Sequence, residues 1–175
     1  MAIRWIAFPL HPEVPPEGMR LEELFAGQDF NIEAAMAHLA KVAEELGLAF
    51  GVRTMTYNSR KAQELGKWAE EQGRGEEFHL AAFRAYFAQG LNLYDEDVLR
   101  EVSRQADLQP DKALAALRSG AYVQAVDADW SYSRERGIRA VPTFSLEGRS
   151  LVGAQPYESL AGLARGQNAG AALTI

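Results

Sequence analysis

The chain has 175 residues, of which 47% are hydrophobic and 24% are charged, and its formal net charge is −6. The length suits one domain, or one domain with a sizeable insertion, and the composition is that of an ordinary globular protein rather than a disordered one. The negative charge argues against nucleic acid or an anionic membrane as a partner, because phosphate binding requires clustered Lys and Arg. The sequence contains no cysteine, which excludes disulfides, thiolate metal sites and a cysteine nucleophile among these residues.

The N-terminal part of the sequence predicts a strand followed by a proline-rich loop. Residues 2–8 alternate in polarity and are rich in Ile, Trp and Phe, which favours a strand ending at Pro9. Four of the seven prolines lie in residues 9–18, so this segment is expected to be an ordered, extended loop. No apolar run reaches the length of a membrane span, and the first residues lack the layout of a signal peptide. We therefore expect a cytoplasmic protein.

Helices are predicted through the middle of the chain. Apolar residues recur at helical spacing from Ile32 to Leu46, and Gly47 suits the left-handed position after a helix. Residues 48–56 are apolar but too short a run to assign. Asn58 or Ser59 can cap a helix that reaches Gln72. Further helices are predicted over 77–89, 96–106, 110–118 and 122–136. The side chains expected in the core are Trp5, Phe83, Tyr86, Phe87, Val123, Val126 and Trp130.

The C-terminal part predicts a hairpin and a last helix. Strands over 143–146 and 150–152 flank Glu147-Gly148, which is a hairpin turn signal. The last helix is predicted over 156–165, and the Gly- and Ala-rich residues after it are expected to fray. Strands at both ends with helices between them indicate the α/β class, as a small sheet domain interrupted by an α-helical insertion.

Four segments, taken in order, resemble one known family. The first three are Phe8-Pro-Leu-His-Pro-Glu-Val-Pro-Pro-Glu-Gly18, Tyr57-Asn-Ser-Arg-Lys-Ala62 and Phe83-Arg-Ala-Tyr-Phe87. The fourth runs from Gly137-Ile-Arg-Ala-Val-Pro-Thr-Phe-Ser-Leu146 to the turn Gly153-Ala-Gln-Pro156. Together they resemble the DsbA-like thioredoxin-fold proteins, and within them the FrnE-like branch of predicted dithiol-disulfide isomerases.

The resemblance implies a thioredoxin-like, DsbA-type sheet with an inserted α-helical domain. Residues 1–30 and 137–166 would form the thioredoxin-like part, residues 31–136 the insertion with its connecting helix, and residues 167–175 a flexible tail. The implied activity is thiol-disulfide oxidation or isomerisation of a peptide or protein thiol substrate, with no metal and no cofactor. His11, His38 and His79 are dispersed and lack the spacing of metal ligands.

The resemblance also implies a substrate-binding loop at Val141, Pro142 and Thr143. In the family this proline is cis and faces the thiol pair, and the backbone before it holds the substrate chain. Gln155 could line the same cleft, as could Asn58 and Ser59. The simpler alternatives are a proline tolerated at the start of a strand, a turn that begins a helix at Pro156, and a helix cap at Asn58 or Ser59.

The sequence departs from the family at its N-terminus. Family members begin with a strand, a Cys-Pro-x-Cys loop and a helix, before the segment that matches residue 3 onward. That first strand is central in the family's sheet, between the strands that match residues 2–8 and 143–146. We expect the sheet to be completed in one of three ways: by residues upstream of this sequence, by direct pairing of the two flanking strands, or by a second chain.

Three functions remain open from the sequence. The first is a thiol-disulfide oxidoreductase of the DsbA/FrnE-like family that is redox-inactive in this cysteine-free form. The second is a relative of the glutathione-dependent isomerases and transferases, which share the helical insertion and use a serine in the N-terminal loop. The third is a non-enzymatic thioredoxin-fold protein that binds peptides or associates with itself as a homodimer.

Overall fold

A computed structural model describes residues 3–166, which fold into two compact units. One unit comprises residues 11–128, and the other joins the two ends of the chain, up to Leu10 and from Asp129 onward. These divisions differ from the predicted boundaries after residues 30 and 136, and the assignment of functional domains remains a prediction. The predicted tail over 167–175 lies outside the described residues.

The unit of residues 11–128 is mainly helical. It opens with the proline-rich loop and a short pairing of β1 (Met19–Arg20) with β2 (Met55–Thr56). Its helices are α1 (Leu21–Leu24), α2 (Ile32–Glu45), α3 (Arg60–Glu71), α4 (Gly75–Phe83), α5 (Glu96–Gln105), α6 (Pro110–Ser119) and the first part of α7 (Val123–Glu135). A π-helical turn, Arg84–Ala88, continues α4.

The core of this unit lies between α3, α4, α5 and α6. Leu65, Phe78, Leu99 and Leu114 contribute one fully buried side chain from each helix. Local signals set the helix ends: the Asp95 carboxylate accepts the Asp97 N–H at the start of α5 (2.8 Å), and a proline occupies the first turn of α6. Burial of these apolar faces supplies most of the helical stability.

The second unit contains a β-hairpin and the last helix. Strand β3 (Thr143–Leu146) pairs antiparallel with β4 (Arg149–Val152), and helix α8 (Tyr157–Ala164) follows. Glu147 and Gly148 both have positive φ, as a two-residue hairpin turn of type I′ requires. None of the helices described between residues 3 and 166 is long and apolar enough to cross a membrane.

The strand predicted over residues 2–8 is wrong for the described part of that segment. Residues 3–9 have no regular structure, because no described strand lies beside them to form a ladder. The amide of Ala7 instead donates to the carboxylate of Asp129 in α7 (2.9 Å). Direct pairing of this segment with β3, one of the three expected ways to complete the sheet, does not occur among the described residues.

The predicted core is partly wrong as well. Val126 is buried, but Val123, Trp5, Phe83 and Phe87 are exposed. Buried residues are mostly apolar, but an apolar residue need not be buried, since folded proteins keep much apolar surface. The aromatic residues of the α4 region do contact one another, and they do so at the surface.

Candidate functional site

The Val141-Pro142-Thr143 loop lies where the β3–β4 hairpin begins. The Val141–Pro142 peptide bond is cis. The carbonyl of Pro142 accepts the N–H of Gly153 (2.8 Å), which extends the ladder one step beyond the Thr143–Val152 pair. The hydroxyl of Thr143 donates to the carbonyl of Ala140 (2.6 Å) and closes the loop on itself. Pro142 and Thr143 are therefore both held by hydrogen bonds within the hairpin region.

Val141 differs from its neighbours in the loop. The residue is 44% exposed. Within residues 3–166, neither its N–H nor its C=O has a hydrogen-bond partner. Exposed backbone groups at the end of a ladder can pair with another extended chain, which gives main-chain affinity without a defined side-chain sequence.

The free edge of β3 continues from Val141. In an antiparallel pair the residues that bond to the partner alternate with those that face away. Since Pro142 bonds to the β4 side, Val141, Thr143 and Ser145 present their backbone groups to the opposite edge. No described strand pairs with that edge. The edge could take an additional strand.

Gln155 lies close to the hairpin in sequence and supports it. Its side-chain amide donates to the carbonyl of Val152 (2.7 Å), at the end of β4. This bond fixes the Gly153-to-Pro156 turn between the hairpin and α8. The same amide would have to break the bond before it could contact a ligand in a cleft.

Asn58 and Ser59 belong to the other unit, where they hold the proline-rich loop and the start of α3. The Asn58 amide nitrogen donates to the carbonyls of Val14 (2.8 Å) and Pro12 (3.3 Å), and its oxygen accepts the Arg60 N–H (2.9 Å). The hydroxyl of Ser59 accepts from the side chain of Gln63 (3.0 Å) rather than from a backbone N–H. Of the two predicted caps, Asn58 is the one that satisfies a backbone donor.

Arg60 ties this corner to α7. Its guanidinium bonds to Glu64 (2.7 Å), to Asp127 (2.7 Å) and to the carbonyl of Val123 (3.0 Å). Partial burial opposes the charged form, but the hydrogen bonds to Glu64 and Asp127 outweigh it and raise the pKa of Arg60. The arrangement is structural, because each of the three guanidinium nitrogens donates to a protein acceptor.

Sequence reasoning missed Asp129. It is 3% exposed, accepts the Ala7 N–H and lies 3.6 Å from the guanidinium of Arg4. A lone aspartate in a helix suggests a solvated face, so the contact was not predicted. The available signal was its spacing from Val126 and Ser133, which are both buried on the same side of α7.

The α7 helix, the cis-proline loop, the β3–β4 hairpin and the α8 helix follow one another in the order of a thioredoxin-type unit. Residues 1–164 match the family of DsbA-like thioredoxin domains. Among solved structures, the chain is similar to a probable DsbA oxidoreductase from Streptomyces coelicolor, with 28% identity and a TM-score of 0.79, covering 94% of this chain and 76% of the other. No curated protein matches. The chain belongs to the DsbA-like thioredoxin domain family, and its fold is the DsbA-like thioredoxin fold with mostly helical content.

Proposed function

We propose that this chain is a FrnE-like member of the thiol-disulfide oxidoreductase family whose own residues bind an extended polypeptide at the Val141-Pro142-Thr143 loop. The observation that carries the proposal is the exposed pair of backbone groups on Val141, which have no partner among residues 3–166. One donor and one acceptor on the same residue match the pairing of an added strand. The proline-rich loop with its Pro-Pro-Glu-Gly sequence, residues 15–18, supports the FrnE-like branch.

The chain contributes binding rather than exchange. Thiol-disulfide exchange begins with attack by a thiolate, and the sequence has no cysteine to supply one. The reaction of the family therefore requires a thiol from outside these 175 residues. Without such a thiol, the loop would act as a peptide-binding element only. The cytoplasmic location remains a prediction.

Binding can be measured without any disulfide chemistry. The probe is fluorescein-labelled ribonuclease A that has been reduced and S-carboxymethylated, so that it is extended and lacks thiols. We expect fluorescence anisotropy to show saturable binding. Val141→Asp should raise the dissociation constant about tenfold or more, because a carboxylate there repels the carbonyl oxygens of an incoming strand and perturbs its register.

Val152→Asp is the matched control, since Val152 is also an exposed valine and lies across the hairpin from the loop, on β4. It should change the dissociation constant less than about twofold, because β4 lies on the side of β3 opposite to the free edge that would bind the polypeptide. Equal effects of the two variants would contradict binding at the loop. In a separate assay, dithiothreitol-driven insulin reduction should proceed at the same rate with and without the protein. Acceleration would overturn the claim that these residues are redox-inactive.

A further inference from the structure

Helix α2 leaves part of an apolar stripe uncovered in the unit of residues 11–128. Apolar residues recur along one side of the helix at helical spacing, from Ile32 through Met36 and Leu39 to Leu46. Leu39 is 42% exposed and Leu46 is 67% exposed, whereas Ile32 and Met36 are half-buried and Ala43 is buried. An amphipathic helix gains its stability by burying such a stripe, so this face is suited to a partner.

A second exposed apolar surface lies on the π-helical turn. Phe87 contacts Phe50 (ring centroids 6.5 Å apart) and Phe83 (6.2 Å). Phe83 is 43% exposed and Phe87 is 38% exposed. Single π-helical turns are often found at functional sites, because the irregular backbone changes the direction of side chains. We call Phe50, Phe83 and Phe87, together with Arg53 and Arg84, the aromatic patch.

The charges of the aromatic patch are positive, and within residues 3–166 they have no acidic partner. The guanidinium of Arg53 lies over the rings of Tyr86 (4.5 Å) and Phe87 (5.5 Å), and its Nε is buried without a hydrogen bond. Arg84 is exposed at the start of the π-helical turn. In the described part of the chain neither arginine pairs with a carboxylate. The patch therefore offers aromatic surface with two cations available to an acidic partner.

The charges beside the α2 stripe have the opposite sign. Glu33 and Glu44 lie eleven positions apart, which is close to three helical turns, so they share one side of the helix. Both are exposed, and neither forms an ion pair with any residue between 3 and 166. The two surfaces thus match in apolar character and complement each other in charge.

We propose that two copies of this chain form a symmetric dimer in which α2 of each copy docks on the aromatic patch of the other. A two-fold dimer needs a surface that is self-complementary, and a chain that carries both halves meets that condition. The contact is a helix laid into an apolar surface, with charged residues at its border. Charge complementarity favours a second copy as the partner on the aromatic patch. The two glutamates and the two arginines that lack ion pairs among residues 3–166 belong to the same unit, so each copy carries both halves of the contact.

The test is a charge exchange. Arg53→Glu with Arg84→Glu reverses the patch, and Glu33→Arg with Glu44→Arg reverses the helix. In sedimentation velocity and light scattering, the unmodified chain should approach twice its 19.3 kDa mass as concentration rises. Each double variant alone faces like charges at both contacts, and its dimer dissociation constant should rise about tenfold or more. An equimolar mixture of the two variants restores opposite charges at both contacts, and should dimerise like the unmodified chain.

Lys112→Glu with Arg165→Glu is the matched control. Both residues are exposed, neither side chain forms an ion pair or hydrogen bond among residues 3–166, and the change in net charge equals that of the patch variant. This variant should dimerise normally. Recovery in the mixture also shows that both double variants fold. A monomer at every concentration, a dimer insensitive to both reversals, or a mixture that stays monomeric would each overturn the proposal. Binding of carboxymethylated ribonuclease to a monomeric patch, lost on patch reversal, would assign the surface to an extended polypeptide instead.

Discussion

Two asparagine side chains hold the proline-rich loop against the helical unit. Asn58 donates to the carbonyls of Pro12 and Val14, and Asn92 donates to that of Pro16 (2.8 Å) while accepting the N–H of Tyr94 (2.9 Å). Prolines leave carbonyls without local partners, since a proline-rich segment cannot form helix or ladder. Each amide side chain donates to a carbonyl of the loop and also accepts the backbone N–H of the residue two positions further along the chain.

Asn58→Ala should therefore be among the costly polar substitutions in this chain. It leaves the Val14 carbonyl and the Arg60 N–H, which are both at least partly buried, without these partners, at about 1–3 kcal/mol for each group. Asn31→Ala removes one exposed bond, to the Ala34 N–H, and should cost about 1 kcal/mol as a lost helix cap. Urea unfolding followed by circular dichroism measures both. An Asn58→Ala cost no larger than that of Asn31→Ala would contradict the assigned role.

Tyr122 provides a pH-dependent contact between the α6–α7 connection and α3. Its hydroxyl donates to the carboxylate of Glu71 (2.5 Å), and this hydrogen bond raises the pKa of Tyr122 to about 12. The unfolded value is 10.0, so the folded state holds the proton more tightly. The stability that this bond contributes is fully present below pH 10 and is lost as the pH rises towards 12.

Spectrophotometric titration of tyrosinate checks this value. One tyrosine should titrate near pH 12 in the unmodified protein, and that late component should disappear in Tyr122→Phe. Glu71→Gln should shift the same component towards 10, because the acceptor loses its charge while keeping its shape. A late component that survives Tyr122→Phe would belong to a different tyrosine.

At the level of secondary-structure elements, the helices and the hairpin could be predicted because their signals are local. The Asp95 cap, the proline that starts α6, and Glu147-Gly148 each determine backbone geometry through nearby atoms. The predicted strand over residues 2–8 failed because a strand exists only through its neighbour, and no described strand lies beside it. The two-residue strands β1 and β2 escaped prediction for the same reason, since their pairing joins distant segments.

The site was also predictable only in part: features set by local sequence were found, and features set by distant contacts were not. Pro142 and the turn near Gln155 were found through a sequence resemblance. The unpaired state of the Val141 backbone depends on which residues bond to β4, and so on the register of the hairpin. Asp129 was missed because its partner is a backbone N–H far away in the sequence, which no side-chain pattern records.

Gly51 allows the segment before β2 to approach the π-helical turn. Its N–H donates to the carbonyl of Phe87 (2.9 Å), and a Cβ at this position would lie 2.4 Å from the carbonyl oxygen of Ala88. Gly51→Ala should destabilise the protein by about 1–3 kcal/mol, because two backbone segments must separate. Tyrosine or tryptophan fluorescence during urea unfolding measures the loss.

Gly162→Ala is the contrasting control within α8. A Cβ there meets no atom within 4 Å, and alanine favours a helix interior over glycine by about 1 kcal/mol. This variant should be as stable as the unmodified chain or more so. If both substitutions had the same effect, the close approach at Gly51 would not be what requires glycine.

At the scale of the whole molecule, the two units differ in how much side-chain surface they bury. The helical unit has a continuous core across four helices. In the other unit, the buried residues among those described are Asp129, Ser133 and Leu163, of which only one is apolar. Because apolar burial is the main source of stability, local opening should require less free energy in the unit formed by the chain ends.

Within that unit, Asp129 binds the segment of residues 3–10 to α7, through the Ala7 N–H and the Arg4 guanidinium. Asp129→Ala removes the acceptor of the Ala7 N–H and the carboxylate beside Arg4. A partly buried donor that loses its partner costs about 1 kcal/mol or more, so amide exchange around Ala7 should accelerate about tenfold. Asp129→Asn keeps an oxygen at this position, so its exchange rate should lie between those of the unmodified protein and of Asp129→Ala. Hydrogen exchange with mass spectrometry resolves the segment.

Asp127→Ala gives the matched comparison, since Asp127 lies two positions earlier on the same helix and its carboxylate binds Arg60 in the unit of residues 11–128. It removes a partner of Arg60, so faster exchange is expected at the start of α3 rather than in residues 3–10. The two aspartates would then act on separate segments, although they share one helix. If Asp127→Ala released residues 3–10 as strongly as Asp129→Ala did, the effect would come from destabilising α7 as a whole, and the specific anchor at Ala7 would be excluded.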